Sequence, residues 1–158
     1  IVDLKEILSI LQKSYNELGL DKEQYITILF CVYDKEKGEA TFLNAGHNCL
    51  PILLKNSGEI QEIEVKGLPV CNLMKRSPHK EATTPVEPGD RIILYTDGIT
   101  EACNENKEAY GEKRLLETVR NNRNLDEKAL AKKVIEEAEA FSGKPALDDM
   151  AIIIAKLI

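Results

Sequence analysis

Gly89-Asp90-Arg91-Ile92-Ile93-Leu94-Tyr95-Thr96-Asp97-Gly98-Ile99-Thr100-Glu101-Ala102 carries a continuous apolar run directly into a carboxylate. The preceding Pro88-Gly89-Asp90 reads as a turn. Ile92 to Tyr95 suits a strand buried on both faces. The run stops at Thr96-Asp97-Gly98, so Asp97 is expected where a buried strand opens into a tight, glycine-containing loop. A rigid strand fixes the backbone at such a place, and the loop gives the carboxylate access to an ion or a substrate. The same Asp-Gly pair also serves as an ordinary turn, because both residues favour turns for local reasons.

Working outward, the chain divides into patterned segments without repeats, low-complexity tracts or linkers. Leu4, Ile7, Leu8, Leu11, Tyr15 and Leu18 recur at helical spacing, with Asp3 as N-cap and Gly19 as stop. Tyr25 to Tyr33 reads as a strand, Lys35-Glu36-Lys37-Gly38 as a hairpin turn and Ala40 to Leu43 as the returning strand. Leu50 to Leu54 and Ile60 to Val65 flank a second hairpin signal, Asn56-Ser57-Gly58. Gly67 to Met74 is apolar without a clear period, and His79 to Val86 reads as a further strand. Glu112 to Asn121 predicts a short helix. Asp126 to Phe141 predicts a longer one, capped by Asp126 and ended by Gly143 and Pro145. Met150 to Ile158 is a β-branched run preceded by Asp148 and Asp149. Helix, hairpin-linked strands, two helices and a last strand favour an α+β fold with a largely antiparallel sheet.

Composition narrows the function classes. At 158 residues with 43% apolar side chains, the chain is long enough for a single domain, 1–158, with a real core. Net charge is −6, and basic residues are interspersed with acidic ones, which argues against a nucleic-acid partner. No apolar run reaches the length of a membrane span. Cys31, Cys49, Cys71 and Cys103 show no Cys-x-x-Cys spacing, and only two histidines could help them, so a zinc site is not expected. With no secretion signal visible, scattered thiols of this kind fit a reducing cytoplasm. The chain opens on Ile1 rather than Met and is expected to continue a longer protein.

Asp97 closes one apolar strand and Asp148 precedes another. If those strands are neighbours, both carboxylates share one end of a sheet. Two aspartates without imidazole or thiolate suit a hard cation such as magnesium or manganese, which activates water and neutralises phosphoryl oxygens. Two solvated turn aspartates would give the same spacing.

Motifs in order then extend this reading. Tyr25-Ile26-Thr27-Ile28-Leu29-Phe30, Asn44-Ala45-Gly46-His47-Asn48-Cys49-Leu50-Pro51, Pro88-Gly89-Asp90 with Leu94 to Ala102, Tyr110-Gly111 with Leu115, and Asp148-Asp149-Met150 follow one another along the chain. Together they resemble the bacterial stage-II-sporulation-E-like branch of the metal-dependent serine/threonine protein phosphatases (the PPM superfamily). The resemblance implies an antiparallel β-sandwich flanked by helices. It also implies hydrolysis of phosphoserine or phosphothreonine in a protein, with two manganese or magnesium ions activating a water. By position, Asp97 and Asp148 resemble the late metal ligands, and Asp149 would orient Asp148. The expected substrate is a phosphorylated anti-anti-sigma-type protein in a partner-switching pathway, with an upstream sensory or receiver domain in the parent chain.

One family feature is not found. The early Gly-Asp motif, whose aspartate bridges both ions, is absent, since the chain's Gly-Asp pair is Gly89-Asp90. The family domain normally has about 70 further residues before the first helix, so the chain reads as the C-terminal portion of a catalytic domain, lacking N-terminal strands. Exposed strand edges, and hence a homodimer, strand exchange or aggregation, are expected of such a portion. The alternative function is a catalytically incomplete phosphatase-like module that binds a phosphoprotein or regulates.

Other residues support the expected site. His47 suits a general acid or, more simply, a hydrogen-bonded loop residue. Asn44 and Gly46 are read as shaping that turn. Thr96, Gly98 and Glu101 flank Asp97 and are read as supporting it. Cys71 stands where the family commonly has glycine, and His79 reads as a surface residue.

Overall fold

The structure is a computed structural model describing residues 2–21, 23–73, 79–143 and 149–158. Its elements, in order, are α1 (Leu4–Glu17), β1 (Tyr25–Ile26), β2 (Ile28–Asp34), β3 (Glu39–Ala45), β4 (Ile52–Leu54), β5 (Ile60–Glu62), β6 (Val70–Cys71), β7 (Glu81–Pro85), β8 (Arg91–Tyr95), α2 (Asp97–Thr100), α3 (Gly111–Asn121), α4 (Glu127–Ser142) and β9 (Ile152–Lys156). The expected α+β class with antiparallel sheets holds. The residues group into two compact units, Ile1–His47 with Glu64–Val86, and Asn48–Ile63 with Glu87–Ile158.

In the first unit, β3 is the centre of an antiparallel sheet of order β2-β3-β7. The turn closing the β2–β3 hairpin is held by Asp34, whose Oδ1 accepts from the amides of Glu36 and Lys37, each at 3.1 Å. Leu43 and Ala45 meet Leu4, Leu8 and Tyr15 of α1, and Val70, in one apolar core. Asp3 caps α1 as expected, accepting from the Glu6 amide at 3.0 Å.

The buried face of α1 is narrower than the apolar pattern predicts. Ile7 and Leu18 are exposed, whereas Gln12 is buried. Gln12 is tolerated there because its Nε2 donates to the Cys71 carbonyl and to Asn16 Oδ1, both at 2.9 Å. The Tyr25 to Tyr33 run divides at Thr27. Tyr25 and Ile26 pair with Cys71 and Val70, while Ile28 onward pairs with β3. Cys71 thereby sits in extended strand, a conformation that needs no glycine.

In the second unit, an antiparallel sheet of order β5-β4-β8-β9 packs against helices. Alternate residues Ile52, Leu54, Ile93 and Tyr95 share a core with Leu115 and Val119 of α3 and with Leu130, Val134 and Ala138 of α4. Across the same core Tyr110 meets Phe141 edge-on, with ring centroids 5.7 Å apart. Asp126 caps α4 by accepting from the Ala129 amide at 2.7 Å, and Gly143 ends it in the left-handed conformation. Pro145, Asp148 and Met74 lie outside the described residues.

Asp90, read from sequence as a turn residue, is 1% exposed. Its Oδ1 accepts from the Asn56 amide at 2.8 Å and its Oδ2 from the Glu87 amide at 3.0 Å, with Lys55 Nζ 3.2 Å from Oδ2. Its backbone carbonyl accepts from the Leu157 amide at 2.8 Å. One carboxylate therefore ties two turns together at the start of β8. Burial works against its ionisation, but the amide hydrogen bonds and Lys55 outweigh burial and hold its carboxyl below the usual range.

Asp90→Ala is expected to lower stability by roughly 2–4 kcal/mol, because it removes a buried carboxylate that accepts from two backbone amides and pairs with Lys55. The folded-state pKa is depressed, so this stabilisation is present above the ordinary carboxyl pKa. It fades below about pH 4 as the folded carboxyl takes up its proton. Urea denaturation across pH checks both, and equal stability of the two proteins at pH 7 would refute the role.

Candidate functional site

Both neighbours of β8 converge on the end where Asp97 stands. The β4–β8 ladder ends at Ile52↔Ile93, and the segment before β4 runs toward Asp97. The contact is made: Asn48 Nδ2 donates to Asp97 Oδ2 at 3.2 Å. On the other side β8 and β9 pair through Tyr95↔Ile152, and the Thr96 amide continues the ladder to the Ala151 carbonyl at 3.0 Å.

The Thr96 hydroxyl completes that junction. It accepts from the Ala151 amide at 2.9 Å and donates to the Asp149 carbonyl at 3.1 Å. Thr96 therefore fixes the segment leading into β9 beside Asp97. Its hydroxyl holds backbone on the adjoining segment. Asp149 is exposed and its backbone is held by this clip. Asp148, the other expected ligand, lies outside the described residues.

The expected loop at Thr96-Asp97-Gly98 is instead the start of a short helix, α2. Thr96 occupies its N-cap position without making a side-chain cap, because its hydroxyl is engaged across to residues 149–151. Asp97 is the first helical residue. Its carbonyl receives the Glu101 amide at 2.7 Å and the Thr100 hydroxyl at 3.2 Å. Gly98 is buried within the turn, and Glu101 is exposed at its C-cap.

Three carboxylates act on Cys49, the residue after Asn48. The buried Cys49 thiol is pushed up to about 12, first by burial and then by the carboxylates of Asp97, Glu112 and Glu101. It stays protonated at neutral pH and is no nucleophile. Tyr95 is raised by burial and then by Cys49, Glu112 and Glu62. No basic side chain forms an ion pair with Asp97 among the described residues. A half-buried carboxylate that ion-pairs with no base among the described residues fits a hard divalent cation in kind. In number the donor set is partial, for no group of three His, Cys, Asp or Glu that could hold a metal occurs among the described residues.

Asn44, Gly46 and His47 belong to the first unit and shape its loop. Asn44 is 2% exposed. Its Nδ2 donates to the His47 and Val65 carbonyls at 2.9 and 3.0 Å, and its Oδ1 accepts from the His47 amide at 2.7 Å. A Cβ on Gly46 would meet Pro69 at 2.5 Å, and one on Gly67 would meet the Asn44 carbonyl oxygen at 1.7 Å, so both positions need glycine. His79, expected at the surface, is half-buried with Nδ1 3.3 Å from that same carbonyl oxygen.

The profile of the stage II sporulation protein E (SpoIIE) family matches residues 2–158. The chain belongs to that family. Protein IcfG of Synechocystis sp. (strain ATCC 27184 / PCC 6803 / Kazusa) is 33% identical over 99 residues, which are 63% of this chain and 15% of IcfG. Phosphoserine phosphatase RsbU of Bacillus subtilis (strain 168) is 30% identical over 90 residues, 57% of this chain and 27% of RsbU. This SpoIIE-family chain thus spans well under half of either curated relative. The SiaA-PP2C domain of Pseudomonas aeruginosa shares the fold, with TM-score 0.82 at 17% identity over 99% of this chain and 61% of that one.

Sequence reasoning missed Asn48 and α2. The first meets Asp97 across 49 residues of sequence, and no local signal marks it. Thr-Asp before Gly-Ile-Thr-Glu, a capping residue followed by acid in a first turn, is a signal for the second. Thr96→Val is expected to cost about 1–2 kcal/mol and to speed hydrogen exchange at the Ala151 amide. Thr96→Ser should restore protection, and unchanged exchange in the valine variant would remove the clip.

Proposed function

We propose that this SpoIIE-family chain contributes to metal-dependent hydrolysis of phosphoserine or phosphothreonine in a protein. The observation that carries the reading is Asp97, a half-buried carboxylate without a basic partner among the described residues, at the end of β8 where the neighbouring strand segments converge. Family membership and the phosphoserine phosphatase RsbU among its relatives support it. In this reading Asp97 and Asp148 would hold manganese or magnesium, with Asp149 orienting Asp148 and Glu101 supporting Asp97. A cation so held supplies an activated water and neutralises phosphoryl oxygens.

The protein's own residues prepare for this. Asp97 presents a carboxylate from a fixed helical turn, and Thr96 keeps the segment before β9 alongside. The substrate proposed from the resemblance is a phosphorylated anti-anti-sigma-type protein, dephosphorylated under control of an upstream sensory or receiver domain. The alternative reading is a phosphoprotein-binding or regulatory module without turnover.

The test is hydrolysis of para-nitrophenyl phosphate and of a phosphoserine peptide, in manganese against chelator. Manganese-dependent turnover is expected, falling at least about 100-fold in Asp97→Asn, the loss of a positioned charge at the reacting centre. Chelator-insensitive turnover would contradict the proposal. Saturable peptide binding without turnover would favour the alternative reading.

A further inference from the structure

We propose that Asn48 is the positioning residue of the Asp97 carboxylate, holding one oxygen so that the other is presented to a divalent cation. The inference rests on the metal reading of Asp97 given above. It is carried by the 3.2 Å hydrogen bond from Asn48 Nδ2 to Asp97 Oδ2. Both backbones are fixed. Asn48 directly precedes Cys49, which is 4% exposed in the helix-packed core, and two residues further Pro51 accepts from the Ile63 amide at 2.8 Å. Asp97 is fixed by α2 and by the ladder bond of Thr96 to Ala151. The pairing of β4 with β8 brings the segments that carry the two residues side by side.

The chemistry of the donor matters. A lysine or arginine at position 48 would also bind the carboxylate, but its charge would cancel the attraction for a cation. A neutral amide fixes the rotamer and leaves the negative charge in place. Carboxylates that bind metals are commonly held in this way by hydrogen bonds from outside the ligand set, and removing such a partner typically lowers metal affinity 10–100-fold. Asn48 is itself exposed, so its removal should leave the fold intact.

The experiment is a manganese chloride titration of the 158-residue chain, followed by the electron paramagnetic resonance signal of free manganese, with thermal unfolding alongside. Asn48→Ala should weaken manganese binding about 10-fold with melting temperature essentially unchanged, and Asn48→Gln should recover part of the loss. In turnover assays the manganese concentration for half-activation should rise, with kcat at saturating manganese nearly kept. Wild-type affinity in Asn48→Ala, in a protein whose Asp97→Asn variant loses binding, would overturn the role of Asn48 alone. A drop in melting temperature without a change in affinity would do the same. Unchanged binding in Asp97→Asn, or none in the wild type, would overturn the metal reading and this inference with it.

Discussion

Strand β8 is fixed at both ends by side chains bonded to the backbone of its neighbours, and the described site depends on that constraint. At its start the buried Asp90 carboxylate takes amides from two turns, and its carbonyl takes the amide of Leu157. At its end the Thr96 hydroxyl bridges to residues 149 and 151. Between them β8 is hydrogen-bonded on both sides, to β4 and β9. Side chains alternate strictly along a strand, so a slip of one residue would move Ile93 and Tyr95 off the helix-packed face.

Packing and chemistry are therefore divided along a single segment. Ile93 and Tyr95 anchor the strand in the core, and the very next residues turn outward into α2. The carboxylates of Asp97, Glu112 and Glu101 all act on the Cys49 thiol, and carboxylates that stand near each other without counter-charge cost stability. A protein tolerates such a cluster where a cation compensates it, and rigid neighbours keep the groups from drifting apart to relieve the repulsion.

The apolar run Ile92 to Tyr95, the hairpin at Lys35 to Gly38 and the caps Asp3, Asp126 and Gly143 were legible in the sequence because each is local: a period, a turn preference or a cap. The position of Asp97 at the end of β8 was legible for the same reason. What was not legible depends on partners distant in sequence. Gln12 resembles a surface residue until the Cys71 carbonyl appears opposite it, and Asp90 resembles a turn residue until the Asn56 amide and Lys55 close over it. Thr27 marks a change of strand partner, which no local propensity encodes. Asn48 joins the site only through its hydrogen bond to Asp97, 49 residues away in sequence, a non-local fact.

The central claim is that the end of β8 is a cation site built on Asp97. The most direct measurement is a crystal of the chain soaked in manganese, with anomalous diffraction collected at the manganese edge. The account predicts a peak at bonding distance, about 2.2 Å, from an Asp97 carboxylate oxygen. A map with no peak at Asp97, or with its peak only at other carboxylates, would contradict it.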